Sequence, residues 1–246
     1  MLTTISQNPK YYRWVILFVC FLIIALTNGL TLGGLYVFEE EIMKSLSEIT
    51  GENILRADLK LRDALTLWST AAIGFFSGML ADRIGVKKLM VTGMVILSAC
   101  FYFYGQAQSL ADMYILHIFM GLVLCISGMI VNVILITKWF NNSRGLAIGI
   151  LLAGTSVGNG LFPQINAYLL SIGDWREVML WLSLIPLCYI PFLLLLVKES
   201  PEALNQENQE IDQDFSQTNN SGGLTLKEAL STKNFWLLSL MAFCTF

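Results

Sequence analysis

Residues 154–163 read GTSVGNGLFP, and taken alone they fit three unrelated chemistries. Gly154-Thr155-Ser156-Val157-Gly158 has the spacing of the G-x-S-x-G nucleophile elbow. Thr155 to Gly160 is similar to the T-V-G-Y-G loop whose carbonyls replace an ion's hydration shell. Small residues four apart also let membrane helices touch. The surroundings choose among these. The stretch sits inside residues 145–173, which contain no Asp, Glu, Lys or Arg. At about 1.5 Å per residue, so long an apolar helix spans a hydrocarbon core of roughly 30 Å. An elbow needs a strand, a turn and a helix with a histidine and a carboxylate in reach, whereas the chain has 1 His and this segment has no strand pattern. A filter needs a re-entrant loop in several copies around a pore, and this segment is long enough to cross as one helix. The spacing therefore predicts a close-packing transmembrane helix, with Gly145, Gly149 and Ala153 on one face, Gly154 and Gly158 on another, and a bend near Pro163.

Five more intervals share this character. Residues 14–38, 64–81, 89–111, 113–137 and 178–197 are also free of formal charge, although the chain carries 15 Lys or Arg and 18 Asp or Glu. Hydrophobic residues make up 55% of the chain and charged residues 13%, roughly half the charged share of an ordinary globular domain. The expected fold is an all-α membrane protein with a six-transmembrane-helix bundle. The first interval is far longer than the apolar core of a signal peptide and lacks a small-residue cleavage site, so it is expected to stay in the protein. A net charge of −3 gives no reason to expect a nucleic-acid partner. Cys20, Cys100, Cys125, Cys188 and Cys244 all fall in apolar segments without metal or redox spacing, and read as small buried hydrophobes. No metal site, cofactor motif or enzyme chemistry is expected.

Lys and Arg near span ends set orientation. With the N-terminus cytoplasmic, Lys10, Arg13, Arg83, Lys87, Lys88, Lys138, Arg144, Lys198, Lys227 and Lys233 lie inside, and Lys44, Arg56, Lys60, Arg62 and Arg176 lie outside. Four of those five exceptions fall in one outer loop, Glu39 to Arg62. The expected location is a multi-pass protein of a plasma or bacterial inner membrane. Residues 1–197 form the bundle. Residues 198–234, rich in Asn, Gln, Ser and Glu, read as a largely disordered cytoplasmic linker, with a capping-box spacing at Thr225 to Glu228. Residues 235–246 begin a seventh apolar helix that is too short to cross. No repeat of 20 to 50 residues is visible by eye.

The turn between the second and third helices, Gly78-Met79-Leu80-Ala81-Asp82-Arg83-Ile84-Gly85-Val86-Lys87-Lys88, resembles the G-x-L-A-D-R-x-G-R-K signature of the major facilitator superfamily. Gly78, Leu80, Ala81, Asp82, Arg83, Gly85 and Lys87 match it, and Val86 stands where a base is usual. A looser resemblance, to the monocarboxylate transporters and the oxalate/formate antiporter group, rests on Trp14-Val15, Gly34 to Phe38, Arg144 to Ala147, Ala153 to Gly158, Trp175-Arg176 and Phe235 to Leu238. Two departures stand out. Tyr12-Arg13 precedes Trp14 where animal monocarboxylate transporters have an acidic-Gly-Gly lead, and their helix-one lysine falls at Gly33.

The resemblance implies the N-terminal half of a twelve-helix fold plus the start of helix seven. It implies a secondary transporter of a small solute, an organic mono- or dicarboxylate, working by alternating access. Protons or a counter-transported anion would be the coupling partner, and the C-terminal six-helix half would be required. A six-helix channel, or a regulatory half-protein with no transport of its own, is the alternative. The resemblance makes Gly78, Asp82, Arg83, Gly85 and Lys87 the gating loop, with Asp82 helping to hold an inner gate closed. It turns helices one, four and five toward a central cavity. The polar residues there are Thr27, Asn28 and Thr31, then Ser127 and Asn132, then Thr155, Ser156 and Asn159. Asn28, Thr31, Ser127, Thr155 and Asn159 are the substrate-binding candidates, each with interhelical hydrogen bonding as the competing role. His117, inside the fourth interval, is the proton-coupling candidate, with packing as its competing role.

Overall fold

The computed structural model describes residues 9–140 and 143–201. The linker beyond Pro201, the spacing at Thr225 to Glu228, the start of the seventh helix and Cys244 lie outside the described residues. Six helical stretches are long and apolar enough to cross a membrane: Tyr11–Thr50, Arg56–Ile84, Val86–Tyr104, Leu110–Trp139, Arg144–Ile172 and Trp175–Leu196. No strand occurs among the described residues, which form an all-α bundle of six spans.

Local chemistry starts and stops these helices where charge reappears. The fourth span begins with a reciprocal cap, in which the Asp112 amide donates to Ser109 Oγ at 3.2 Å and the Ser109 amide donates to Asp112 Oδ2 at 3.0 Å. The sixth begins at Asp174, whose carboxylate accepts from the Arg176 amide at 3.0 Å. Gly51 and Gly85 take φ of 70° and 92°, backbone that residues with a side chain adopt at a cost, and they end the first and second spans.

Three span pairs carry most of the packing: first with fifth, second with fourth, and third with sixth. Exchanging spans one to three with spans four to six turns the first–fifth pair into the fourth–second pair and maps third–sixth onto itself. This is the pairing of a three-plus-three repeat. It operates at the level of whole spans, which is why no shorter sequence period reveals it. The core falls into two apolar clusters. One, toward the Pro9 end, includes Ile16, Ile23, Met94, Leu135 and Leu151. The other, toward the Thr50 end, includes Phe38, Ile42, Phe101, Met120 and Leu182.

Three expectations need correction. The outer loop is not Glu39 to Arg62: the first span continues helically from Glu39 to Thr50, and the second starts at Arg56. Charge-free length misplaces this boundary because Glu39 and Arg62 neutralise each other inside the protein. Pro163, where a bend is expected, lies within one continuous helix, Arg144–Ile172, so the interruptions of helical structure fall elsewhere. The first span is interrupted by a π-helical turn, Gly29–Gly33, and a 3₁₀ turn, Leu35–Phe38. The fourth is interrupted between Ile126 and Met129. Gly154 and Gly158 do pack, against the backbone of Phe21 and Ala25, but Gly145 and Gly149 face open space, with nothing within 4 Å of where a Cβ would stand. The buried stripe of the fifth span is Ala147, Leu151, Gly154, Gly158, Phe162 and Asn166, and helical spacing turns 145 and 149 away from it. Finally, Cys20, Cys100 and Cys125 are buried, whereas Cys188 is exposed.

Candidate functional site

The π-helical turn of the first span, Gly29–Gly33, lies where that span crosses the fifth, in a run of small and hydroxylated residues. Thr27 Oγ1 donates to the Ile23 carbonyl at 2.9 Å and Thr31 Oγ1 to the Thr27 carbonyl at 2.6 Å, so both hydroxyls are spent inside the helix. Asn28 is half-buried and donates to the Ile24 carbonyl at 3.1 Å. A Cβ on Gly33 would stand 2.7 Å from Asn159 Oδ1 and 2.7 Å from its Cα, so only glycine lets these two backbones approach so closely. Two turns further, Asn166 Nδ2 donates to the Gly34 carbonyl at 3.0 Å, tying the fifth span to the residue where the π-helical turn gives way to the 3₁₀ turn. The break in the fourth span also has an asparagine donor beside it. Asn132 Nδ2 donates to the carbonyls of Ser127 at 2.8 Å and Gly128 at 2.7 Å. Both asparagines are buried, and their Oδ1 atoms have no hydrogen-bond partner among the described residues.

At the Pro9 end the second-to-third turn is short. Asp82 and Arg83 are exposed on the last turn of the second-span helix, Gly78 is half-buried, and Gly85 supplies the reversal. Glu199, just past the sixth span, accepts from the Lys87 amide at 3.2 Å, capping the start of the third span, and Lys87 Nζ donates to the Leu194 carbonyl at 2.7 Å. Asp82 itself has no ion pair among the described residues. A carboxylate at a helix C-terminus opposes the dipole, so packing within this bundle does not account for it.

At the other end lies an arrangement the sequence reading missed. Glu39 is 3% exposed and Arg62 0% exposed, with Arg62 Nη2 3.3 Å from Glu39 Oε1. Lys60 Nζ lies 2.5 Å from the same oxygen, and Arg56 Nε 3.5 Å from Oε2. Arg62 also donates to Tyr104 Oη at 2.7 Å and to Asp63 Oδ1 at 3.2 Å. Tyr104 Oη lies 3.3 Å from His117 Nε2, and Thr66 Oγ1 lies 2.7 Å from His117 Nδ1. Four spans thus meet in one buried polar chain. The sequence signals were the crowding of cations into the supposed outer loop and the lone histidine, His117, inside an apolar interval.

A family model described as Major Facilitator Superfamily matches residues 17–246. The chain belongs to that superfamily. Among curated relatives it is 28% identical over 198 residues to a gallate transporter of Pseudomonas putida, covering 78% of this chain and 41% of that one. It is 26% identical over 165 residues to the sialic acid transporter NanX of Escherichia coli strain K12, covering 64% and 40%. It is 23% identical over 180 residues to a probable sulfoacetate transporter, SauU, of Cupriavidus necator, covering 71% and 41%. A solved bacterial homologue of the human lysosomal transporter Spinster, inward-facing and unoccupied, superposes with a TM-score of 0.64 at 22% identity, over 93% of this chain and 51% of that one. The chain thus aligns with about two fifths of the length of these curated relatives.

Within this major facilitator chain, the candidates separate by exposure. Asn28, Thr155 and Asn159 gather where the first and fifth spans cross, with Asn159 exposed and the other two half-buried. Thr31 is buried at 3% exposure. Ser127 is fully buried, donates to the Val123 carbonyl at 3.0 Å, and would stand 2.5 Å from a Cβ on Gly93, so it serves the third–fourth contact. Ser156 lies on a continuous helix, which removes the nucleophile-elbow geometry. His117 is 0% exposed and hydrogen-bonded to other spans. Among the described residues no group of three His, Cys, Asp or Glu is placed to hold a metal ion.

Proposed function

We propose that this bundle is the N-terminal half of a secondary transporter that moves a small organic carboxylate by alternating access, together with a second six-helix bundle. Gallate, sialic acid and sulfoacetate, the solutes named for three relatives, are all carboxylic acids. The observation that carries the reading is the pair of interrupted spans, first and fourth, which hold corresponding places in the three-plus-three pairing. Interrupted helices in corresponding positions are where transporters of this kind place a midplane site. In this reading Asn28, Thr155 and Asn159 contact the solute, and Thr31 and Ser127 hold the helices that present them. Asp82 finds its partner in the other half, where it keeps an inner gate closed with Arg83, Gly85 and Lys87. The open faces at Gly145 and Gly149 suit close approach of that half. The N-terminus is cytoplasmic, the membrane a plasma or bacterial inner membrane, and residues 198–234 the cytoplasmic link to a seventh span.

The test is counterflow of labelled gallate in liposomes that contain this chain and a C-terminal six-helix bundle. Saturable uptake blocked by other carboxylates and not by neutral sugars is expected, with none from residues 1–246 alone. Passive, non-saturable flux through the six spans alone would favour a channel and end the proposal.

A further inference from the structure

We propose that His117, Tyr104 and Arg62 form a proton-binding site that acts, through Glu39, on the docking of the helix Glu39–Thr50 against the second span. Hydrogen-bond roles are set by Arg62, which can only donate. Tyr104 Oη accepts from Arg62 at 2.7 Å, so the tyrosine hydrogen points to His117 Nε2 at 3.3 Å, and Nε2 is the acceptor. The ring hydrogen is then on Nδ1 and goes to Thr66 Oγ1 at 2.7 Å, whose own hydrogen reaches the His117 carbonyl at 3.2 Å. Each of these hydrogens has an acceptor with the imidazole neutral.

A proton added to Nε2 forms an N–H bond and displaces nothing covalent. It does remove the acceptor of the Tyr104 hydrogen. It also sets an imidazolium one hydroxyl away from a guanidinium, both of them buried. The charged and titratable groups facing His117 from the packed spans are Arg62 on the second, Tyr104 and Cys100 on the third, and, behind Arg62, Asp63, Lys60 and Glu39. No carboxylate touches the ring directly. The added charge is relieved when Arg62 leaves Tyr104, and Arg62 is the buried cation that holds Glu39.

The helix Glu39–Thr50 is held by apolar packing of Ile42 and Leu46 in one cluster with Leu59, and Arg176 of the sixth span donates to Ser45 Oγ at 3.4 Å. Its ion pairs to the second span are the Glu39 contacts to Arg56, Lys60 and Arg62, with Arg56 also reaching Glu40 at 4.0 Å. Arg56 and Lys60 are more than half exposed and screened by solvent, so among the ion pairs the buried Arg62 contact is the one whose loss weakens docking most. Proton uptake is therefore linked to undocking, and acid favours the undocked helix by at most about tenfold per pH unit for one proton.

The experiment is hydrogen exchange by mass spectrometry on the chain in lipid nanodiscs, reading the peptide 39–50 at about pH 7.5 and about pH 5.5, the range over which histidine titrates. Rates are corrected for the intrinsic pH dependence of exchange, and no solute is added, so the result is independent of transport. Protection of this peptide is expected to fall on acidification, and to become independent of pH in His117→Gln and in Tyr104→Phe. Glu41→Gln, which breaks only a surface pair with Lys44, should keep the wild-type response. An unchanged protection in the wild type overturns the proposal. So does a pH response that survives in His117→Gln, which would place the proton on Glu39. If His117→Gln does not insert, Tyr104→Phe, which removes a single oxygen, decides alone: a surviving response there refutes the relay.

Discussion

Gly154 and Gly158 are where the first and fifth spans touch, and adding one methyl group at either should be costly. A Cβ at position 154 would stand 2.6 Å from the Phe21 carbonyl oxygen, against the 3.4 Å at which ordinary van der Waals contact begins, so the helices must part by about 0.8 Å. At position 158 the obstacle is again backbone, the Ala25 carbonyl, which no rotamer change can move. Forcing extra methyl groups into a packed contact costs about 1–3 kcal/mol, and separating these helices also strains the Gly33–Asn159 approach one turn away. For a bundle of this size that is a fall in Tm of roughly 2–12 °C. Gly149→Ala is the internal control, because its Cβ meets nothing within 4 Å. There the gain in helix propensity leaves Tm unchanged or slightly raised. Thermal melts of the three alanine variants in one detergent, followed by tryptophan fluorescence, give the comparison. Equal melting of Gly154→Ala, Gly158→Ala and wild type, or an equal fall in Gly149→Ala, would show that the first–fifth contact is not built on these two glycines.

Asp82→Asn should leave Tm almost unchanged, within about 0.5 kcal/mol of stability, because no partner among the described residues is lost, yet slow transport severely in the complete transporter with a smaller change in KM; unchanged rate and affinity would remove the gate role. Asn159→Ala should raise KM with little effect on Tm, whereas Ser127→Ala, at a buried packing position, should lower Tm by the order of 1 kcal/mol of stability and leave KM near wild type. Arg62→Ala, which leaves Glu39 buried beside two solvent-exposed cations, should cost about 3–5 kcal/mol, and Glu39→Gln combined with Arg62→Gln should recover part of it. A cysteine at Glu48, exposed, should react with an impermeant thiol reagent in intact cells, and one at Lys88, also exposed, only after permeabilisation; the reverse pattern would invert the topology.

Six charge-free intervals were enough to count the spans, because a bilayer penalises an isolated charge wherever it falls and the penalty is read off the sequence directly. The turn between the second and third spans was legible for the same reason: a short run of charge between two apolar intervals has few other places to be. Gly154 and Gly158 announced a helix contact, but so did Gly145 and Gly149, and nothing in the spacing said which stripe faces the first span.

What the residues could not convey is which charges meet. Glu39 and Arg62, taken as loop residues, are 23 positions apart and cancel each other out of water. His117 was visible as a lone titratable group, but its partners come from the second and third spans, 51 and 13 residues away. The interruptions of the first and fourth spans were hidden in a different way. Carbonyls beside them accept from the side chains of Asn166 and Asn132, and Asn166 lies 132 residues from the Gly34 carbonyl it serves. Solvation by the membrane is a property of each segment by itself, so sequence determined the class, the span count and the loop. Hydrogen bonds and ion pairs between spans depend on which faces the tertiary structure turns together, and there alone the buried polar chain and the interruptions were decided.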